Sequence, residues 1–164
     1  ADVDIASVAD ALGVPTAALS DVDLPVGRAE AAGGSLLVPV TFLENLGQVD
    51  PDPDSVADLP GRRMIAFTFD TVAAESDLHA RVLDEHGREW ATSPVAAAGC
   101  GRYLGEQAAF DGERDRLRVE SGGYLDRPAT VEVGVDGTVT GGGLVALEGE
   151  IAVPPAPDDD IVEL

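Results

Sequence analysis

The chain has 164 residues and a formal charge of -21, with 31 Asp and Glu against 10 Arg and no Lys. Its length suits one domain with a core of its own, and a hydrophobic content of 45% excludes a wholly disordered chain despite the charge. Without a basic patch, nucleic-acid binding and attachment to an anionic membrane are disfavoured, while a lone Cys100 excludes an internal disulfide or a cysteine metal cluster.

No apolar run reaches transmembrane length, and no basic-then-apolar leader opens the sequence. Repulsion among so many carboxylates is relieved in molar salt, where the Debye length falls to ~3 Å. The composition resembles that of proteins from salt-in halophiles, so high salt is expected to be needed for stability.

Ala1 to Leu19 reads as helical. Asp4 can cap the first turn, Ile5, Val8 and Leu12 fall on one face, and Gly13 ends the run. Pro15 opens a second short helix. SVADALGVPTAALS is similar to the first half of a helix-turn-helix. The acidic, proline-broken Ser20 to Pro25 follows, and it would repel phosphate rather than read DNA. Residues 1–33 are therefore expected to form a helical arm that packs on the sheet or on a neighbouring subunit.

From Ser35 the pattern turns to strands. Leu36 to Leu43 is apolar, with Pro39 marking an edge or bulged strand. Gly47 to Gly61 reads as a loop. Arg63 to Val72 places Ile65, Phe67 and Phe69 on one face, and Asp77 to Glu85 does the same for Leu78, Ala80 and Val82 before a turn at His86-Gly87. Glu89 to Ala98 is a weaker strand cut by Pro94, and Gly101 to Phe110 has no clear period. Arg116 to Glu120 turns Leu117 and Val119 inward. Val131, Val133 and Val135 alternate with polar or small residues. Asp136-Gly137 then predicts a two-residue hairpin turn with both residues at positive φ. Gly149 to Val153 is the last strand. About eight short strands with regular turns predict an all-β antiparallel sandwich over residues 34–153, with a single jelly roll as the leading topology. Residues 154–164, PPAPDDDIVEL, form an extended acidic tail whose Ile161 and Val162 are expected to dock on another subunit.

Asp50, Asp52 and Asp54 resemble the D-x-D-x-D opening of an EF-hand loop and are the candidate metal ligands. Ser55 stands where that loop needs glycine and Gly61 where it needs glutamate, so a solvated acidic loop fits better. His79 and His86 lack the spacing of a zinc pair. Ser121-Gly122-Gly123 lacks a nucleophile elbow, and Gly141-Gly142-Gly143 lacks the Lys and helix of a phosphate loop. No catalytic residue and no cofactor site emerges, and the chain reads as a non-enzyme. A helical arm and a tail flanking a β-domain suit a symmetric assembly. Single jelly-roll capsid proteins of viruses that infect halophilic archaea share that organisation, without a shared motif. The expected function is thus a capsid or virion subunit that partners copies of itself or related β-sandwich subunits through Ile5, Val8, Leu12, Ile161 and Val162. The alternative is a surface or extracellular binding or adhesion module of an extreme halophile.

Overall fold

One sheet with both faces in use takes up the apolar residues. The computed structural model describes residues 3–30, 34–110, 114–141 and 149–150. Among the described residues eight strands occur: β1 (Gly27–Ala29), β2 (Ser35–Pro39), β3 (Arg63–Thr68), β4 (Leu78–Asp84), β5 (Glu89–Trp90), β6 (Arg116–Ser121), β7 (Ala129–Gly134) and β8 (Val139–Thr140). They run in the order β1-β2-β3-β4-β6-β7-β8, with β5 added beside β4.

Two of the pairings, β2 with β3 and β4 with β6, are parallel. This corrects the expected antiparallel jelly-roll sandwich. Parallel neighbours need a crossover, commonly a helix. The first crossover carries α3 (Leu43–Gly47) and α4 (Pro53–Ala57); the second carries β5 and α5 (Pro94–Glu106). Pro39 ends β2, which lies between β1 and β3 and is therefore an interior strand.

Period-2 alternation sorts the sheet residues into two cores. Leu37, Ile65, Phe67, Leu78, Ala80, Val82, Leu117, Val119 and Val133 meet α5 on one face. Leu36, Val38, Met64, Ala66 and Leu83 meet the other helices on the opposite face. β3 is apolar on both faces because both are covered, whereas β4 is apolar toward α5 and carries His79 and Arg81 beside Leu83 on the other face. α5 touches strands from β1 to β8, so the sheet curls around it. Gly101 permits a close backbone approach: a Cβ there would lie 2.4 Å from the Gly134 carbonyl oxygen.

α1 (Ile5–Leu12) begins and ends as its residues predict. The Asp4 carboxylate accepts from the Ser7 N–H, and Gly13 closes the helix at φ 67°. α1 and α2 (Ala17–Ser20) pack into the core opposite α5. Val8 and Leu12 are fully buried within this same chain, and Ile5 packs against them. Ile161, Val162 and the tail lie outside the described residues, as do Gly142, Gly143 and Ile151 to Val153.

The hairpin joins β7 to β8 with Val133 opposite Val139. Its turn differs from the expected one. The Gly137 N–H donates to the Gly134 carbonyl, the Gly134 N–H donates to the Thr138 carbonyl, and Gly137 alone in the turn has positive φ, at 86°. That is a three-residue connection with a glycine bulge.

Candidate functional site

β5 and β6 lie on the same side of β4 and divide it between them. β6 pairs with Leu78, His79 and Ala80, and β5 pairs with Val82 and Leu83. Arg81 falls in the gap. Both strands end there, and the chain leaves as residues 91–93 into α5 and as residues 122–125 into a single 3-10 turn (Gly123–Leu125). The two exits touch: a Cβ on Gly122, which sits at φ 75°, would lie 2.6 Å from the Ala91 carbonyl oxygen. Crevices where neighbouring chains diverge at strand carboxyl ends are the usual ligand sites of sheets with parallel crossovers.

On the α5 face, beside the β4–β5 pairing, lies a cleft of about 190 Å³, lined by Arg62, Arg63, Val82, Leu83, Asp84, Glu85, Trp90 and Ser93. Ser93 caps α5, its hydroxyl accepting the Ala96 N–H at 3.2 Å, and Pro94 occupies the first helical position. The helix therefore aims its positive end toward the cleft. Trp90, 58% exposed, forms a wall. Beneath the helix start, a cavity of about 10 Å³ is bounded by Thr92, Ser93, Ser121 and Cys100 among others.

The cleft holds little that can move a proton. The Asp84 carboxylate already accepts from the His86 and Arg88 N–H groups and from the Trp90 indole. Burial works against its charge, but those donors prevail and hold its pKa below the usual carboxylate range. Cys100 is fully buried, and burial pushes its thiol up to about 12, far from a reactive thiolate.

On the opposite face lies a buried polar cluster. The His79 Nδ1 stands 2.7 Å from Glu120 Oε1, and the Val72 and Ala73 N–H groups donate to the two Glu120 oxygens at 2.6 and 3.1 Å. Burial acts to raise the Glu120 pKa; these donors outweigh it and leave the carboxyl below its ordinary value. Arg81 donates twice to Glu89 Oε2, at 3.1 and 2.6 Å, and through Nη1 to the Leu46 and Val49 carbonyls at the end of α3. The Tyr124 ring covers both pairs, edge-on to His79 at 5.4 Å and 4.8 Å from the Arg81 guanidinium carbon. Burial raises its phenol pKa, against the pull of Arg81. The cluster sits at the end of the helical layer over β2–β4, next to the face of β6 and β7 on which Arg118 pairs with Glu132.

The sequence candidates fall elsewhere. Asp52 caps α4, taking the Ser55 N–H and hydroxyl, while its own N–H and that of Asp50 close the last carbonyls of α1. Asp50 and Asp54 are exposed, and no group of three metal-ligating side chains occurs among the described residues. His79 and His86 are not brought together: one is buried at Glu120, the other is exposed in the turn after β4. Ser121 ends β6. Sequence reading missed the α5 mouth, for which Ser93-Pro94 was the available signal, and it missed Glu89, Glu120 and Arg81 as partners.

The geometry matches known folds. The chain superimposes on a PhzF-family phenazine biosynthesis protein of Bacillus anthracis with a TM-score of 0.70 and 19% identity, over 79% of this chain and 46% of that one. It matches a predicted epimerase of Pseudomonas aeruginosa with a TM-score of 0.65 and 23% identity, over 85% and 49%. In sequence it is 29% identical over 132 residues to the uncharacterized isomerase YfhB of Bacillus subtilis (strain 168), covering 77% of this chain and 44% of that protein. No protein-family model matches. The chain thus spans about half the length of the relatives it matches. Its fold is the curled mixed sheet of the PhzF-family structures. A capsid or virion subunit, a surface adhesion module and a non-enzyme, with their virion or cell-surface locations, are all overturned, because the relatives are named as isomerase and epimerase. The underlying misreading was of two parallel crossovers as a run of antiparallel hairpins.

Proposed function

We propose that this chain is the ligand-binding half of a small-acid isomerase, with the ligand's carboxylate held in the cleft at the start of α5. The likeness to proteins named isomerase and epimerase supports the reaction class, and the cleft supports the role. The observation that carries the reading is the meeting of Arg62, Arg63, Trp90 and the Ser93-capped helix start around one opening beside the split in the sheet. The two guanidiniums balance Asp84 and Glu85 and the helix start adds a partial positive charge, so a carboxylate meets a locally balanced opening in a chain that is otherwise strongly acidic. Trp90 supplies an apolar wall for the rest of a small ligand.

Isomerisation by proton transfer also needs a base within hydrogen-bond reach of the reacting carbon's proton. Asp84 is committed to its three donors, Glu85 is offset by the guanidiniums of the same opening, Cys100 is fully buried, and His79 and Glu120 lie on the other face of the sheet. We assign this half binding and orientation, and the proton transfer to a group outside the cleft.

Trp90 is the chain's one tryptophan, so its emission reports the cleft directly. Titration with small carboxylic acids in molar KCl is expected to give a saturable change, weakened about tenfold in Arg62→Gln, the loss expected for one charged contact. Deuterium from heavy water should not enter the bound acid's C–H positions with this chain alone. Absence of saturable binding for every acid, or binding indifferent to Arg62, overturns the site; deuterium uptake by the chain alone overturns its role as a half.

A further inference from the structure

The cleft reading leaves the buried cluster beneath Tyr124 without a role. Glu120 is held ionised and accepts at both oxygens, so the shared proton in the His79–Glu120 contact resides on His79 Nδ1. The lone pair of a neutral imidazole then sits on Nε2. His79 is 4% exposed, and its Nε2 is buried with no hydrogen-bond partner. A buried ring nitrogen without a partner carries a desolvation cost that structures seldom retain without use. The ring is also fixed in place, since Glu120 is itself tied to Val72 and Ala73 on a different segment.

What covers Nε2 is lightly held. Gly123 lies directly over it: a Cβ there would be 4.0 Å from Nε2 and 3.6 Å from Cε1. Tyr124 follows, and as a residue it is 41% exposed. The turn that carries it is one 3-10 turn between two left-handed residues, Gly122 at φ 75° and Asp126 at φ 55°. The phenol donates to the Leu43 carbonyl at 3.3 Å, a long bond, and it abuts Gly47, where a Cβ would stand 3.3 Å from the hydroxyl.

We propose that His79 and Glu120 form a second, covered acid–base site, with Tyr124 as its hinged cover and a hydrogen-bond donor such as a ligand hydroxyl as the group that Nε2 would receive. Swinging the 122–125 turn outward exposes Nε2 without breaking a strand pairing, because the turn lies beyond the end of β6. Glycine at position 47 leaves the phenol its closed seat; a larger residue there would hold the cover ajar. The site lies across the sheet from the cleft, and it stands or falls independently of carboxylate binding.

Diethyl pyrocarbonate tests this on the intact chain in molar salt. The probe's carbonyl carbon is attacked by an unprotonated ring nitrogen, which takes the ethoxycarbonyl group as ethyl carbonate departs. Peptide mass spectrometry then reads His79 and the exposed His86 separately. His86 is expected to react fast and His79 slowly, through transient opening. Tyr124→Ala should speed His79 by about tenfold or more while His86 is unchanged, as expected when a local cover rather than the global fold limits access. Gly47→Val, which keeps the tyrosine, should act in the same direction. Amide exchange across 122–126 should run faster than in β6. An unchanged His79 rate in both variants overturns the cover. So does a wild-type rate equal to that of His86, or a His79 rate that follows the exchange of core β3 amides, which would show access by global unfolding alone.

Discussion

The two faces of the sheet are filled by opposite means. On one, a single helix of small residues, α5, lies close against strands from edge to edge, and Gly101 brings its axis to within contact of the Gly134 backbone. On the other, among the described residues, four short helices cover β2 to β4, and that layer ends in buried ion pairs and a tyrosine. Close approach makes the first face intolerant of added volume. Buried charge makes the second intolerant of lost partners.

The largest expected effect is on the charged side. Arg81→Met leaves Glu89 buried without its cation and removes the donor to two carbonyls at the end of α3, and should cost about 3–5 kcal/mol in denaturant melts. The double variant Arg81→Met/Glu89→Leu should regain most of that loss. If it does not, the carbonyl contacts rather than the ion pair dominate there.

Next is the packed side. Gly101→Val places a side chain into the Gly134 carbonyl and should cost about 3 kcal/mol by overpacking. Gly99→Ala, whose Cβ would meet Ala29 at an ordinary 3.7 Å, should be neutral or stabilising through helix propensity. Equal effects at the two positions would remove the claim that α5 is held at contact distance.

Glu120→Gln sharpens the contrast by pH. The folded-state pKa of Glu120 lies below its ordinary 4.5, so the stability it contributes is present in full above that value and is lost as pH falls through the lower folded value. The variant should be about 1–3 kcal/mol less stable at neutral pH and should show a shallower loss on acidification below 4.5. Thermal melts across that window check the sign. The smallest effect is expected at neither face: Gly137→Val strains the hairpin turn at φ 86° and should cost about 1–2 kcal/mol.

Local pattern revealed much of the sheet. The inward sets Ile65 and Phe67, Leu78, Ala80 and Val82, and Leu117 and Val119 all lie against α5 as alternation requires. Asp4 and Gly13 bound α1 as cap chemistry dictates. α5 stayed hidden because Pro94 reads as a strand breaker unless Ser93 is recognised as a cap, and because its glycines and alanines carry no strong helical period. The parallel pairings stayed hidden because β2 and β3 are joined through helices so short, Leu43–Gly47 and Pro53–Ala57, that they resemble loop. The site depends on pairs far apart in the chain, such as His79 with Glu120 and Arg81 with Leu46, and no spacing rule joins residues across a crossover.

The order in which this sheet can be assembled follows from its pairings. β1 with β2, β3 with β4, and β6 through β8 are each local units that can zip without distant contacts. They are joined by two parallel seams, each of which needs a closed crossover and so forms late. The seam between β4 and β6 has three residue pairs, against six in each of the pairings that flank it. It is the shorter of the two parallel seams, three residue pairs against five between β2 and β3, and the covered His79 with its partner Glu120 is one of those three.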